Sequence, residues 1–449
     1  MFAGACSDSL FDKQGASTSR DVTHNGTLKG DASENAEDFD PHPVIVNEFM
    51  VKQDGVLADP DFGAYSGWIE LYNPEFEEVD ISNWIIAGEY PGADAALVDT
   101  IPAGTVIPPD AYLLIWADGN HIDDGEAIHL GFNLSEQGGK VGLYGPEYAG
   151  LPVMDTISYG KLDVDPHISI GRTHFSDFGT PKQFVVPMNQ PTPGNRNRIE
   201  QLTLRDYHEL DIQDPSGLSP DYSGNGFWTV SDIRGGSIYR ITRDGHVLEE
   251  LAVDGHDMEG ITQDPETLSL FVAEERRREV VVYQTTGQEL NRYEVDIEVG
   301  DLNNGLEGIA INPSNGHIFV VNKRNPRVLL ELELLSDGTT RQIQRQPINF
   351  GAPEDAPGLS LSGLFYDEQE QLLWMISDEA EAVFVLDTTG RLLAVFEASH
   401  RDLESIALIG PECAIYATSD QDQRLYEYEC PSPLRRLPAD RSQVPTSAY

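Results

Sequence analysis

Basic residues are scarce: 29 Lys and Arg stand against 76 Asp and Glu over 449 residues, a formal net charge of −47. A surface of that sign repels phosphate backbones and anionic lipid, which argues against direct nucleic-acid binding. There are only three cysteines, Cys6, Cys413 and Cys430, and nothing approaches the ~18 apolar residues that a membrane-spanning helix needs. Several reactive signatures are also missing. There is no Gly-rich phosphate loop ending in Lys-Ser/Thr, no paired-cysteine zinc set and no nucleophile elbow. The eleven histidines are scattered; His246 and His256 fall in turns and His400 lies before the last repeat, so each reads as a solvated loop residue rather than a base. What remains is an acidic chain suited to cations, or simply one with a well-solvated surface.

Residues 1–42 are polar, rich in Ser, Asp, Asn and Gly, and lack apolar periodicity. Such a stretch buries too little surface to offset chain entropy and reads as a flexible tether. Within it, Ala3-Gly4-Ala5 directly before Cys6 resembles the end of a bacterial lipoprotein signal, although no basic or apolar segment precedes it. Two readings stand: lipidation at Cys6, or a chance match. The first implies a cell-envelope lipoprotein or secreted protein whose only membrane contact is a lipid anchor.

Residues 43–197 are all-β in pattern. "VIVNEFM", "WIELYNP", "AYLLIWADG", "KVGLYGP" and "DTISYG" are short strands broken by Pro, Gly, Asn and Asp, a spacing that predicts a sandwich. Trp68, Leu71, Ile81 and Trp84 are expected to fill the space between sheets. Glu70 and Asn73 read as a strand-end polar pair that satisfies backbone groups. The run "IVNEFM", "WIELYNPEFEEVDISNWIIAG", "IPAGTVIPPDAYLLIWADG", "FNLSEQGGKVGLYGP" and "PTPGNRN" resembles the lamin-tail domain. The resemblance implies an immunoglobulin-like fold, no catalytic residues and a role in adhesion or positioning.

From Leu202 the chain repeats every ~42–55 residues, a period that signals a solenoid or propeller. Small-residue triplets recur at Ser216-Gly217-Leu218, Glu259-Gly260-Ile261, Glu307-Gly308-Ile309, Ser362-Gly363-Leu364 and Glu404-Ser405-Ile406. After each triplet come strands such as "LFVAEE", "EVVVYQTTG" and "QELNRYEV", which makes four strands per unit and predicts a β-propeller blade. Five blades are countable. The fifth lacks a fourth strand, and "LTLRDYHELDI" at 202–212 is a spare outer strand, so the N-terminal strand is expected to close the ring. The propeller is expected over 202–432, with a flexible tail at 433–449. This half resembles the SdiA-regulated family of bacterial propellers, on the mouth order Ser, Glu, Glu, Ser, Glu and on "NKRNP" at 322–326. The resemblance implies five blades, a capacity to hold calcium near the axis and a role largely unassigned.

In a propeller the first strand of each blade lines the axis, so Glu259, Glu307 and Glu404 are expected to converge. Like charges so placed require a proton or a cation, and oxygen-only ligands favour calcium. The competing reading has these glutamates accept backbone hydrogen bonds from a neighbouring blade. Ser216 and Ser362 hold the remaining mouths as weak ligands or water-holders. A second layer at the exits of the second strands, Asp232, Glu275, Asn322, Lys323, Asp378 and Asp420, forms a candidate ligand rim. Lys323 and Arg324 either pair with an anionic ligand or neutralise nearby acids, with neutralisation preferred. Cys413 and Cys430 flank one turn at a separation a disulfide can span, or are buried free thiols.

Two functions follow: a monomeric calcium-binding propeller with a positioning module that binds an unidentified ligand or surface partner, without catalytic residues; or a calcium-dependent hydrolase, lactonase- or phosphoesterase-like, working at the axis.

Overall fold

The computed structural model describes residues 44–89, 97–122, 125–160, 166–175, 182–188, 190–233, 235–348, 350, 359–410 and 414–431. Their regular structure is β, apart from two short 3-10 turns, Glu147–Ala149 and Leu302–Asn304. No helix among the described residues is long and apolar enough to cross a membrane. The chain divides into two units, 1–172 with 190–197, and 173–189 with 198–449.

The first unit holds two main sheets. One orders Ser169–Phe175, Ile45–Met50, Gly67–Asn73, Ala111–Ala117 and Ile128–His129; the other orders Val153–Gly160, Gly138–Tyr144, Ile85–Glu89 and Leu97–Thr100. Strand residues alternate between faces, so Trp68 and Leu71, three apart, must point oppositely. Ile69, Leu71 and Phe49 are fully buried, and Phe49 meets Tyr159 of the second sheet edge-on at 5.2 Å. Trp68 instead packs with its cross-strand neighbours Met50 and Trp116 on the other face, under Val56, Leu57 and Ala127. The expectation that all four residues fill the inter-sheet space therefore fails for Trp68, because the period-two pleat excludes it.

The second unit repeats one motif. Four sheets run in chain order: Pro215–Pro220 to Val247–Ala252, Met258–Gln263 to Glu289–Glu294, Leu306–Asn312 to Thr340–Pro347, and Leu364–Asp367 to Leu392–Glu397. A last sheet combines Ala407–Ile409, Ala414–Ser419 and Arg424–Tyr428 with Leu204–Glu209, which pairs antiparallel to Arg424–Tyr428. The sequence pattern does not reveal two further features. Glu200–Gln201 adds a parallel edge to the fourth sheet. The strand Lys182–Met188, grouped by sequence with the first unit, falls in the second: Val186 and Met188 lie in a core with Phe319, Leu329 and Phe384.

Backbone contact ties the first strands together. A Cβ on Gly217 would lie 2.6 Å from Ile261 N; on Gly260, 2.3 Å from Glu307 O; on Gly308, 2.3 Å from Ser362 O; on Gly363, 2.6 Å from Ser405 Cα. Each triplet glycine thus rests on the triplet of the following sheet, a distance that only a residue without a side chain permits.

Candidate functional site

Two acidic layers meet in the second unit. In the first three sheets the ladder shifts register at the triplet, between Pro215 and Leu218, Met258 and Gly260, and Leu306 and Ile309. The irregularity takes Ser216, Glu259 and Glu307 out of regular pairing and lets their side chains be re-aimed. The second layer is held by main chain. The N–H groups of Asp232, Glu275 and Lys323 donate to the carbonyls of Asp214, Asp257 and Gly305 at 3.1, 2.9 and 2.8 Å. Those acceptors stand two residues before the mouths. Asp214, Asp257 and Asp402, at corresponding places, have φ of 46°, 56° and 54°, left-handed conformations that aspartate tolerates better than most side chains.

The layers interpenetrate. One carboxylate oxygen from each of Glu259, Glu275 and Glu307 lies within 4.8 Å of the others, as does one from each of Asp232, Asp257 and Glu259. Glu275 therefore belongs with the mouth acids Glu259 and Glu307. Glu404 is in neither group, although its charge acts on Lys323, and that of Glu307 on Glu404. Lys323 Nζ stands 2.7 Å from Glu307 Oε1, the neutralising role preferred from sequence. Arg324 likewise pairs with Glu379.

The electrostatics follow. Burial, then the neighbouring Glu307 and Asp232, hold the Glu259 carboxyl well above its ordinary pKa. Burial pushes Glu307 up to about 8 even with Lys323 against it, and Glu275 to about 7. Burial and Asp257 lift Asp232 to about 6. Burial, then Asp378 and Glu307, raise Glu404 strongly, and burial raises Asp420. Burial acts against the Lys323 ammonium, but Glu307, Glu259 and Glu404 together hold it charged.

The other candidates are partnered inside the protein. Ser216 Oγ donates to Glu259 O at 2.8 Å and to Glu259 Oε2 at 3.0 Å. Ser362 Oγ donates to Asp378 Oδ1 at 3.1 Å, which Ser360 also contacts. Asn322 Nδ2 donates to Arg324 O and Pro326 O, fixing its own turn. Asp420 accepts from Gln421 N. Cys430 is disulfide-bonded; Cys6 and Cys413 lie outside the described residues. Asp257, missed from sequence, could have been found by the recurrence of Asp two residues before three of the mouths, at 214, 257 and 402.

At the far ends of the same strands lies a cavity of about 510 Å³, lined among others by Tyr222, Thr262, Ile311, Phe365, Leu408 and Cys430. One contributor comes from each sheet, and the volume is in the range of small-ligand pockets. No sequence motif marks it.

The first unit also buries Glu48 and Glu70, but supplies both with donors. Glu70 accepts from Asn47 Nδ2 at 2.7 Å and Gly194 N at 2.5 Å. Glu48 accepts from Ser169 Oγ, and from Thr192 N and Oγ1 at 3.1 and 3.0 Å. Asn73 Nδ2 serves the carbonyls of Glu77, Ile107 and Pro108. These residues fasten the 190–197 segment and the strand ends, the backbone-satisfying role read for Glu70 and Asn73.

Curated proteins offer no match to the chain. Similar solved structures include a gluconolactonase from Xanthomonas campestris (14% identity, 51% of this chain and 98% of that one, TM-score 0.34). Regucalcin, a calcium-binding protein from Agrobacterium tumefaciens, shares 12% identity over 51% of this chain and 95% of its own, with a TM-score of 0.36. Virginiamycin B lyase from Staphylococcus aureus shares 12% over 86% and 96%, with a TM-score of 0.31. The lamin tail domain model matches residues 38–161, and the SdiA-regulated model matches 195–397 and 357–444. With a lamin tail domain ahead of a β-propeller, and with that second match running through more than half its length, the chain belongs to the SdiA-regulated family.

Proposed function

We propose that the propeller is a five-bladed ring, closed by Leu204–Glu209, that holds calcium at one end of its axis and serves as a binding module rather than an enzyme. The glycine contacts that run from triplet to triplet support the ring, as does Thr418 Oγ1 donating to Ser216 O at 3.3 Å from the last sheet to the first. The observation that carries the calcium reading is the pair of carboxylate groups sharing Glu259. Their donors are all oxygens, as calcium prefers. Asp232 Oδ1 is buried and accepts no hydrogen bond, and the five acids outnumber their two cations, Lys323 against Glu307 and Arg276 at 2.8 Å from Asp257 Oδ2. Glu259, Glu275 and Glu307, with Asp232 and Asp257, would hold the ion, which when bound offsets their repulsion.

In this reading the ligand enters the cavity at the other end. Tyr222, Phe365 and Leu408 beside Asp367, Glu368 and Glu370 suit a small apolar body carrying a positive group. The lamin tail domain acts as an adhesion or positioning module. The disulfide at Cys430 favours an oxidising compartment, and the reading includes display at the cell envelope or release from the cell.

The test is calorimetry of the chelator-stripped full chain with calcium, beside the Glu259→Gln/Glu307→Gln variant. We expect one tight calcium in the parent, a raised melting temperature, and loss of both in the variant. A parent with no calcium by elemental analysis and no response to chelation would refute the ion. Calcium-dependent turnover of any lactone or phosphoester in a panel would replace the binding module with the hydrolase.

A further inference from the structure

We propose that Asp59, Asp118 and His129, in the first unit, form a binding site for a zinc-type divalent ion, with Asp61 as the positioning residue for the imidazole. One ligand atom from each of the three lies within 4.8 Å of the others. His129 is carried by the short strand Ile128–His129, which pairs with Trp116, and Asp118 follows that neighbouring strand directly. The side chains of Asp59, Asp118 and His129 are at most 1% exposed. The Phe62 ring stands edge-on to the imidazole at 5.2 Å.

Each polar contact in the cluster is defined. His129 Nδ1 is 3.1 Å from Asp118 Oδ2, and Nε2 is 3.0 Å from Asp61 Oδ2. Asp61 is held by the N–H groups of Glu126 and Ala127 at 2.8 and 3.0 Å. Asp118 also accepts from Asn120 N and Nδ2. Asp59 Oδ1 accepts from the N–H groups of Asp61 and Phe62. Asp59 Oδ2 is different: it is buried, accepts no hydrogen bond, and stands 3.8 Å from His129 Nδ1. A carboxylate oxygen stripped of water and given no donor calls for a proton or a cation.

An imidazolium alone supplies one positive charge to three carboxylates and leaves Asp59 Oδ2 without a donor. A divalent ion between Asp59, Asp118 and His129 Nδ1 serves all three. Asp61 then accepts the remaining Nε2–H, as a carboxylate behind a metal-bound histidine does. One imidazole nitrogen with two carboxylate oxygens suits zinc and its neighbours rather than calcium, which takes oxygen alone.

The test uses the full, chelator-stripped chain with Zn²⁺ for calorimetry and Co²⁺ as a paramagnetic probe. We expect a Zn²⁺ site that Asp59→Asn weakens at least tenfold, that Asp61→Asn weakens by about 10–100-fold, and that Glu307→Gln leaves unchanged. We also expect the Co²⁺ complex to show a hyperfine-shifted, exchangeable imidazole N–H resonance, a signature that an all-oxygen site does not give. Equal Zn²⁺ affinity in the parent and a folded Asp59→Asn variant would overturn the proposal. So would a Co²⁺ complex without that resonance, which requires no variant.

Discussion

The glutamates of the two units are buried in opposite ways. Glu48 and Glu70 in the lamin tail domain face hydroxyl, amide and backbone donors, so their charge or proton is accommodated by dipoles. Glu259, Glu275 and Glu307 in the propeller face one another, with Lys323 as the cation among them. Donor count, rather than burial, separates a buried acid that its own unit satisfies from one that calls for a proton or a cation. That difference can be probed from both sides.

The largest effect is expected from Lys323→Met, which removes the counter-charge and leaves Glu307 buried and unpaired. Losing one partner of a buried pair costs about 3–5 kcal/mol. Chemical denaturation should show that loss in the propeller transition, with saturating calcium restoring part of it. A loss below about 1 kcal/mol would mean that the acids do not depend on the lysine.

Next comes the pH dependence of the lamin tail domain. Burial raises Glu70 from 4.5 to about 7, so the folded unit keeps a proton that the unfolded chain releases. The stabilisation from Glu70 is fully present below pH 4.5 and is lost as pH rises through about 7, a swing of about 3 kcal/mol at 1.36 kcal/mol per unit. Glu70→Gln should flatten that part of the stability profile, measured by denaturant melts between pH 4.5 and 8. An unchanged slope would show that its donors alone suffice.

The smallest effect is expected from Gly308→Ala. The added methyl meets Ser362 O at 2.3 Å, and overpacking of this kind costs about 1–3 kcal/mol. Because it forces two triplets apart, it should also weaken calcium binding, whereas alanine at the open turn glycine Gly104 should leave calcium affinity unchanged. Equal calcium affinity in both variants would separate the acid groups from the ring spacing.

Much of this architecture is legible in the sequence because repetition is a one-dimensional signal. The triplets locate Glu259 and Glu307, and the scarcity of bases singles out Lys323. Convergence is not so written: Glu275 reads as a rim residue until its carboxylate is seen within 4.8 Å of those of Glu259 and Glu307, and Glu404 shares the mouth pattern without joining either tight group. Trp68 is misplaced by ignoring the parity of the pleat. Asp59, Asp118 and His129 follow no spacing rule, since three separate turns and strands bring them together. The Val186 and Met188 segment shows apolar residues but not which core receives them.

The triplet glycines carry one more implication. Where neighbouring sheets touch main chain to main chain, their spacing at the triplets is set by peptide thickness, and only a change at the glycines themselves alters it. Mutation away from those glycines can therefore vary the charge carried at the triplets, as at Ser216, Glu259 and Glu307, while the distance between neighbouring sheets stays constant.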